Sequence, residues 1–123
     1  MRILLIEDDD ATREILSAVL KRTDFSLEIE TAADGDDGFA CYSGRGPFDL
    51  LITDHAHPGL RGIEFIDLVL SRNPLQPIVF QTGNSGPHIE DFKQRHPSIT
   101  VLQKPYCMEL FQDIVRSAQN VRM

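Results

Sequence analysis

The sequence predicts an α/β domain: a doubly wound, five-stranded parallel sheet with helices on both faces. Two observations predict it. Short apolar runs alternate with longer stretches of helical periodicity, five times over 123 residues, which is the pattern of repeated β-α units. The polar signals also recur at one place in each unit. Glu7-Asp8 closes the first run, Arg2–Ile6; Asp54 closes Phe48–Thr53; Thr82-Gly83 closes Pro77–Gln81; Lys104-Pro105 closes Ile99–Gln103. In open α/β sheets ligands bind beyond the carboxyl ends of the strands, so three acids, a hydroxyl and an ammonium are expected at one rim.

Each element has its own warrant. Ala11 to Arg22 carries Ala11, Ile15, Ala18 and Val19 at helical spacing, with Leu16 and Leu20 beside them. Leu27-Glu28-Ile29-Glu30 alternates apolar and charged, as an edge strand with one wet face does. Gly35 to Tyr42 reads as a short helix broken by Ser43-Gly44-Arg45-Gly46-Pro47. Gly62 to Arg72 is a helix with Ile66, Val69 and Leu70 inward, ended by Asn73-Pro74. Gly86-Pro87 opens a short helix through Gln94, with only Ile89 and Phe92 as an apolar stripe. Met108 to Ala118 closes the chain, with Leu110, Phe111, Ile114, Val115 and Ala118 inward. Right-handed crossovers put helices on both faces. Strand order 2-1-3-4-5 places the Leu27 and Val101 strands at the edges and the continuous apolar runs at the centre.

The length fits one domain, residues 1–123, able to bury a core without disulfides. Cys41 and Cys107 lack CxxC spacing and read as reduced thiols. The first strand starts at once, leaving no room for a signal peptide, and no run approaches the ~20 apolar residues that cross a bilayer. A cytoplasmic protein is expected. A net charge of −7 argues against nucleic acid as a direct partner.

Asp8 and Asp54 end neighbouring strands in this order. Clustered carboxylates repel unless a cation lies between them, and a hard divalent ion with oxygen ligands, Mg²⁺ or Mn²⁺, suits them. Lys104 supplies a fixed positive charge and Thr82 a hydroxyl. A phosphoryl group arriving at Asp54 would meet the metal on one side and Lys104 on the other. Such a site works by positioning and charge neutralisation, with a carboxylate as nucleophile.

With these residues in place, the chain resembles the receiver domain of two-component response regulators over essentially its whole length. The matching segments are Ile3–Asp9, Phe48–Asp54, Pro58–Gly62, Pro77–Gly83 and Lys104-Pro105-Tyr106. None is specific alone; together, in order and at these intervals, they are. The resemblance implies a flavodoxin-like fold and a phosphoryl group taken by Asp54 from a sensor histidine kinase or a histidine phosphotransfer protein. It implies Mg²⁺ held by Asp8, Asp54 and the Ala56 carbonyl, with Glu7 acting through water. Thr82 and Lys104 would sense the phosphate, and the bond before Pro105 would be cis. The family usually has Tyr or Phe where Val101 stands, commonly Met where His57 stands, and apolar residues at the place of His55. These departures touch output more than phosphate chemistry.

Taken singly, the same residues have plainer readings. Glu7-Asp8-Asp9-Asp10 alone is an acidic helix start, with Asp9 or Asp10 as the cap. Asp54 alone is a turn residue, Thr82-Gly83-Asn84 a turn, and Lys104 a solvated lysine. His55 and His57 lack a third His or Cys for a transition metal. His88 and His96 read as surface residues. The rival functions are a metal-dependent phosphatase or hydrolase, a degenerate receiver that binds without phosphorylation, and a flavin-binding protein. Ala56 in place of a second acid counts against the first, intact Asp54, Thr82 and Lys104 against the second, and Glu7–Asp10, which would repel phosphate, against the third. The expected partner is an output protein in trans or a second copy of the chain, met through the fourth helix, fifth strand and fifth helix. The loop Gly83–Pro87 and its helix are the expected switch.

Overall fold

The computed structural model describes residues 1–54, 62–83, 87–104 and 106–121. The elements run β1 (Arg2–Ile6), α1 (Asp10–Thr23), β2 (Glu28–Ala32), α2 (Gly35–Arg45), β3 (Leu50–Asp54), α3 (Gly62–Arg72), β4 (Ile78–Thr82), α4 (Pro87–Arg95), β5 (Thr100–Gln103) and α5 (Met108–Val121). The five strands are parallel in the order β2-β1-β3-β4-β5, the flavodoxin-like arrangement the sequence predicts.

Strand alternation divides the core into two layers. Leu4, Ile6, Leu51, Ile78 and Phe80 face one way, packing with Phe65, Ile66, Val69, Ile89 and Phe92 of α3 and α4. Ile3, Leu5, Leu50, Ile52, Val79 and Leu102 face the other, against Leu16, Leu20, Phe111 and Val115 of α1 and α5. Each fully buried side chain of this size stabilises by roughly 1.5–3 kcal/mol. The central strands β3 and β4 are buried along their whole length, as their unbroken apolar runs require.

Several helices differ from expectation in which face they bury or where they stop. In α1 the sheet takes Leu16 and Leu20, while Ile15 is 55% exposed and Ala11 and Ala18 face solvent. Both stripes have helical spacing; the larger leucines remove more apolar surface from water. Helix α2 runs past Tyr42 to Arg45 and ends at Gly46, whose N–H bonds the Tyr42 carbonyl at 3.2 Å. Gly44 only weakens a helix, whereas Pro47 forces its predecessor out of helical geometry. The Gly46–Pro47 peptide is cis. The cis bond expected before Pro105 lies outside the described residues. Helix α5 reaches Val121, and its Leu110 is exposed. His96, expected at the surface, is mostly covered; its ring lies 4.9 Å from that of Phe92 and its Nε2 3.5 Å from Asp67 of α3.

Helix α2 approaches β1 closely at Gly38, where an added Cβ would lie 2.5 Å from Ile6 Cδ1 and 2.9 Å from its Cγ1. Gly38→Val is therefore expected to lower stability by about 1–3 kcal/mol through overpacking, read as a lower urea midpoint at unchanged slope.

Candidate phosphoryl-transfer site

The rim begins with how β1 becomes α1. Asp9 is the cap: its carboxylate accepts hydrogen bonds from the Thr12 N–H at 2.8 Å and the Thr12 hydroxyl at 2.6 Å. Those bonds hold its carboxyl below the usual range. Arg13 reaches back from α1 and donates to the Glu7 carbonyl at 2.9 Å. The backbone at Glu7-Asp8 is thus fixed from both sides.

Glu7 and Asp54 are 2% and 6% exposed, while Asp8 is open to solvent. Ligand oxygens of Glu7, Asp8 and Asp54 lie within 4.8 Å of one another, close enough to share one cation. Lys104 Nζ stands 3.0 Å from Asp54 Oδ2 and 3.7 Å from Glu7 Oε2. Burial alone would lower the Lys104 pKa. The hydrogen bond to Asp54 and the charges of Asp54 and Glu7 outweigh it and hold the ammonium above its ordinary value. Burial, then repulsion from Asp54, pushes Glu7 up to about 7, with Lys104 opposing. Glu7 Oε2 makes no hydrogen bond among the described residues. A buried carboxylate oxygen so placed, beside two other carboxylates, fits a hard divalent cation with oxygen ligands.

Thr82 is buried at the end of β4, and its carbonyl accepts the Lys104 N–H at 2.8 Å. That bond ties the hydroxyl-bearing and ammonium-bearing strand ends together. Of the residues singled out in the sequence, Glu7, Asp8, Asp54, Thr82 and Lys104 meet at one rim. Ala56, His55 and His57 lie outside the described residues. Sequence reasoning named Gln81 and Tyr106 only as members of matching segments and missed their pairing: the Tyr106 hydroxyl donates to Gln81 Oε1 at 2.7 Å, below the rim on the α5 side. The available signal was a polar residue interrupting the apolar run of β4.

An acid-lined strand rim faced by a lysine defines a phosphoryl-handling α/β domain. The family model described as response regulator receiver domain matches residues 3–116, and the chain belongs to that family. It is therefore a phosphoacceptor signalling domain of the two-component kind. It is 32% identical over 106 residues to protein-glutamate methylesterase/protein-glutamine glutaminase 1 of Anaeromyxobacter dehalogenans, covering 85% of this chain and 29% of that protein. It is 33% identical over 85 residues to the transcriptional regulatory protein DltR of Streptococcus agalactiae, covering 69% and 37%. The chain thus spans well under half the length of these curated relatives. Among solved structures it is similar to the Vibrio cholerae chemotaxis protein CheY4, with TM-score 0.80, 27% identity, and 95% and 97% of the two chains covered. An N-terminal domain from Wolinella succinogenes shares the fold at TM-score 0.85 and 23% identity, over 99% and 96%.

The Glu7 shift would make binding of a divalent cation at this cluster pH-dependent. The metal-free native state holds a proton that the unfolded chain releases above 4.5, so its contribution to stability is full below 4.5 and lost as pH rises through about 7. A divalent cation must displace the same proton. Apparent Mg²⁺ affinity is therefore expected to be about tenfold weaker at pH 6 than at pH 8. Glu7→Gln should flatten that dependence, measured by calorimetric titration at both pH values.

Proposed function

We propose that Asp54 is the acceptor and that residues 1–123 work as one receiver domain. The observation that carries this reading is the Lys104 ammonium, 3.0 Å from Asp54 and 3.7 Å from Glu7, with solvent-open Asp8 alongside. An Asp54 carboxylate oxygen attacks the phosphorus of a phosphohistidine. The P–N bond breaks, the electron pair stays on the donor's ring nitrogen, and an acyl phosphate forms on Asp54. Lys104 neutralises the incoming oxygens, and the Thr82 hydroxyl donates to one of them once the phosphate is in place. Glu7, Asp8, Asp54 and the Ala56 carbonyl are the residues that would hold Mg²⁺ or Mn²⁺. Such an ion supplies charge neutralisation for the transferring group.

The donor is a sensor histidine kinase or a histidine phosphotransfer protein, and the output is a protein bound in trans or a second copy of the chain. On this reading the chain catalyses only its own phosphorylation and dephosphorylation, turns over no other substrate, and works in the cytoplasm. No helix among the described residues is long and apolar enough to cross a membrane.

With Mg²⁺ and acetyl phosphate, the intact mass is expected to rise by one phosphoryl group, and Asp54→Asn should abolish the gain. Label persisting in the Asn variant would move the acceptor elsewhere. Sustained release of phosphate from a generic phosphate ester would favour a hydrolase instead.

A further inference from the structure

The hydrogen-bond register places Gln81 beside Asp54 on one side and Leu102 on the other. One step beyond the Ile6–Thr53 pair sets Glu7 level with Asp54. Glu7, Asp54, Gln81 and Leu102 therefore form one row across four strands. By strand alternation this row faces the α1/α5 layer, as Leu5, Ile52 and Val79 do. An amide in an apolar layer is costly unless its polar atoms are satisfied. Gln81 is 1% exposed, and the only hydrogen bond its side chain makes among the described residues is the one from the Tyr106 hydroxyl; its Nε2 has none.

That half-satisfied pair admits two arrangements. In one the hydroxyl donates to the amide oxygen. In the other the amide turns, its nitrogen donates to the hydroxyl oxygen, and the phenolic proton is free to seek another acceptor. Burial, then the charges of Glu7 and Asp54, pushes Tyr106 up to about 12, so the hydroxyl keeps its proton. Tyr106 also stacks on Phe111 of α5, with ring centroids 6.1 Å apart and planes at 24°, and Phe111 is fully buried. Two residues before Tyr106 stands Lys104, the group whose partner changes when Asp54 gains a phosphoryl group.

We propose that the Gln81–Tyr106 hydrogen bond couples the charge on Asp54 to the position of α5. The inference rests on Asp54 as acceptor. Added negative charge re-aims Lys104, shifts the connection that carries Tyr106, and favours one arrangement of the amide–phenol pair; the stacked Phe111 carries the difference into the first turn of α5. The two arrangements supply the bistable element that coupling requires.

The test is the amide spectrum of the full chain with Mg²⁺, before and after saturation with beryllium fluoride, a mimic of the acyl phosphate. Wild type should shift at the rim and across residues 106–115. Tyr106→Phe keeps the ring and its stacking, and Gln81→Met keeps the volume. Each should leave affinity for the mimic within about twofold while changing the ratio of the two α5 states about fivefold, the effect of one hydrogen bond. The double variant should match either single one, because both remove the same bond. A full-size α5 response in Tyr106→Phe and Gln81→Met would overturn the coupling while leaving Asp54 as acceptor. So would loss of mimic binding in Tyr106→Phe, which would place the hydroxyl in the binding site. No response anywhere in wild type would overturn the acceptor reading and the coupling with it.

Discussion

Two carboxylates, Glu7 and Asp54, lie almost wholly out of water at neighbouring strand ends, and a single ammonium stands between them. Two like charges so placed repel strongly where water is scarce. Burial first, then repulsion from Asp54, raises the Glu7 pKa, and Lys104 opposes both. Among Glu7, Asp54 and Lys104 the two acids outnumber the one ammonium. On the function proposed above, a divalent cation would relieve that imbalance and leave Lys104 freer to engage a phosphoryl oxygen. On that reading the switch and the chemistry would draw on the same imbalance.

Strand order creates the imbalance. Glu7 and Asp54 become neighbours only because β3 lies beside β1, and Lys104 reaches them because β4 and β5 follow outward on the same side. The backbone bond from Lys104 N–H to the Thr82 carbonyl then fixes the height of the ammonium relative to the acids. The rest of the core holds these strand ends at their mutual heights. Close contact of Gly38 with Ile6 belongs to the same constraint, because it sets how near α2 lies to β1 one residue before Glu7.

Sheet order, strand edges and the residues that meet at the rim were legible in the sequence because each depends on a local signal: an apolar run and the polar residue that ends it. Helix faces were less legible. Ile15 and Leu16 both belong to stripes of helical spacing, and only the shape of the sheet decides that Leu16 and Leu20 turn inward. Leu110 looked like core, yet Phe111 and Val115 fill the space beneath α5 and leave it outside. The extent of α2 is underread because Ser43-Gly44-Arg45-Gly46-Pro47 reads as a breaker from its first residue, whereas the helix runs to Arg45 and stops only before Pro47. Gln81 carried one local signal, a polar residue inside the apolar run of β4, but its pairing was not legible. Its partner Tyr106 lies 25 residues away, and nothing local to either residue marks the two as partners.

Alternation also separates the two layers as routes from the rim. Thr53, Phe80 and Val101 stand level with one another and point toward the layer of α3 and α4. Val101 is a small side chain at the edge of that layer, with no polar atom to pair with anything at the rim. Helix α4 is anchored there by Ile89 and Phe92, and by His96 close to Asp67. On the other layer, the row of Glu7, Asp54 and Gln81 has a polar group at each step and ends on the phenol that precedes α5. Apolar contacts transmit a change of shape, whereas a row of polar groups also transmits a change of charge, since each member's favoured partner depends on its neighbour's charge. Phosphorylation is first a change of charge. The layer carrying Gln81 and Tyr106 is therefore the one equipped to read it directly. Helix α4 would respond through the Thr82 strand end and the packing of Phe92 against Phe80, whose rings lie 4.8 Å apart.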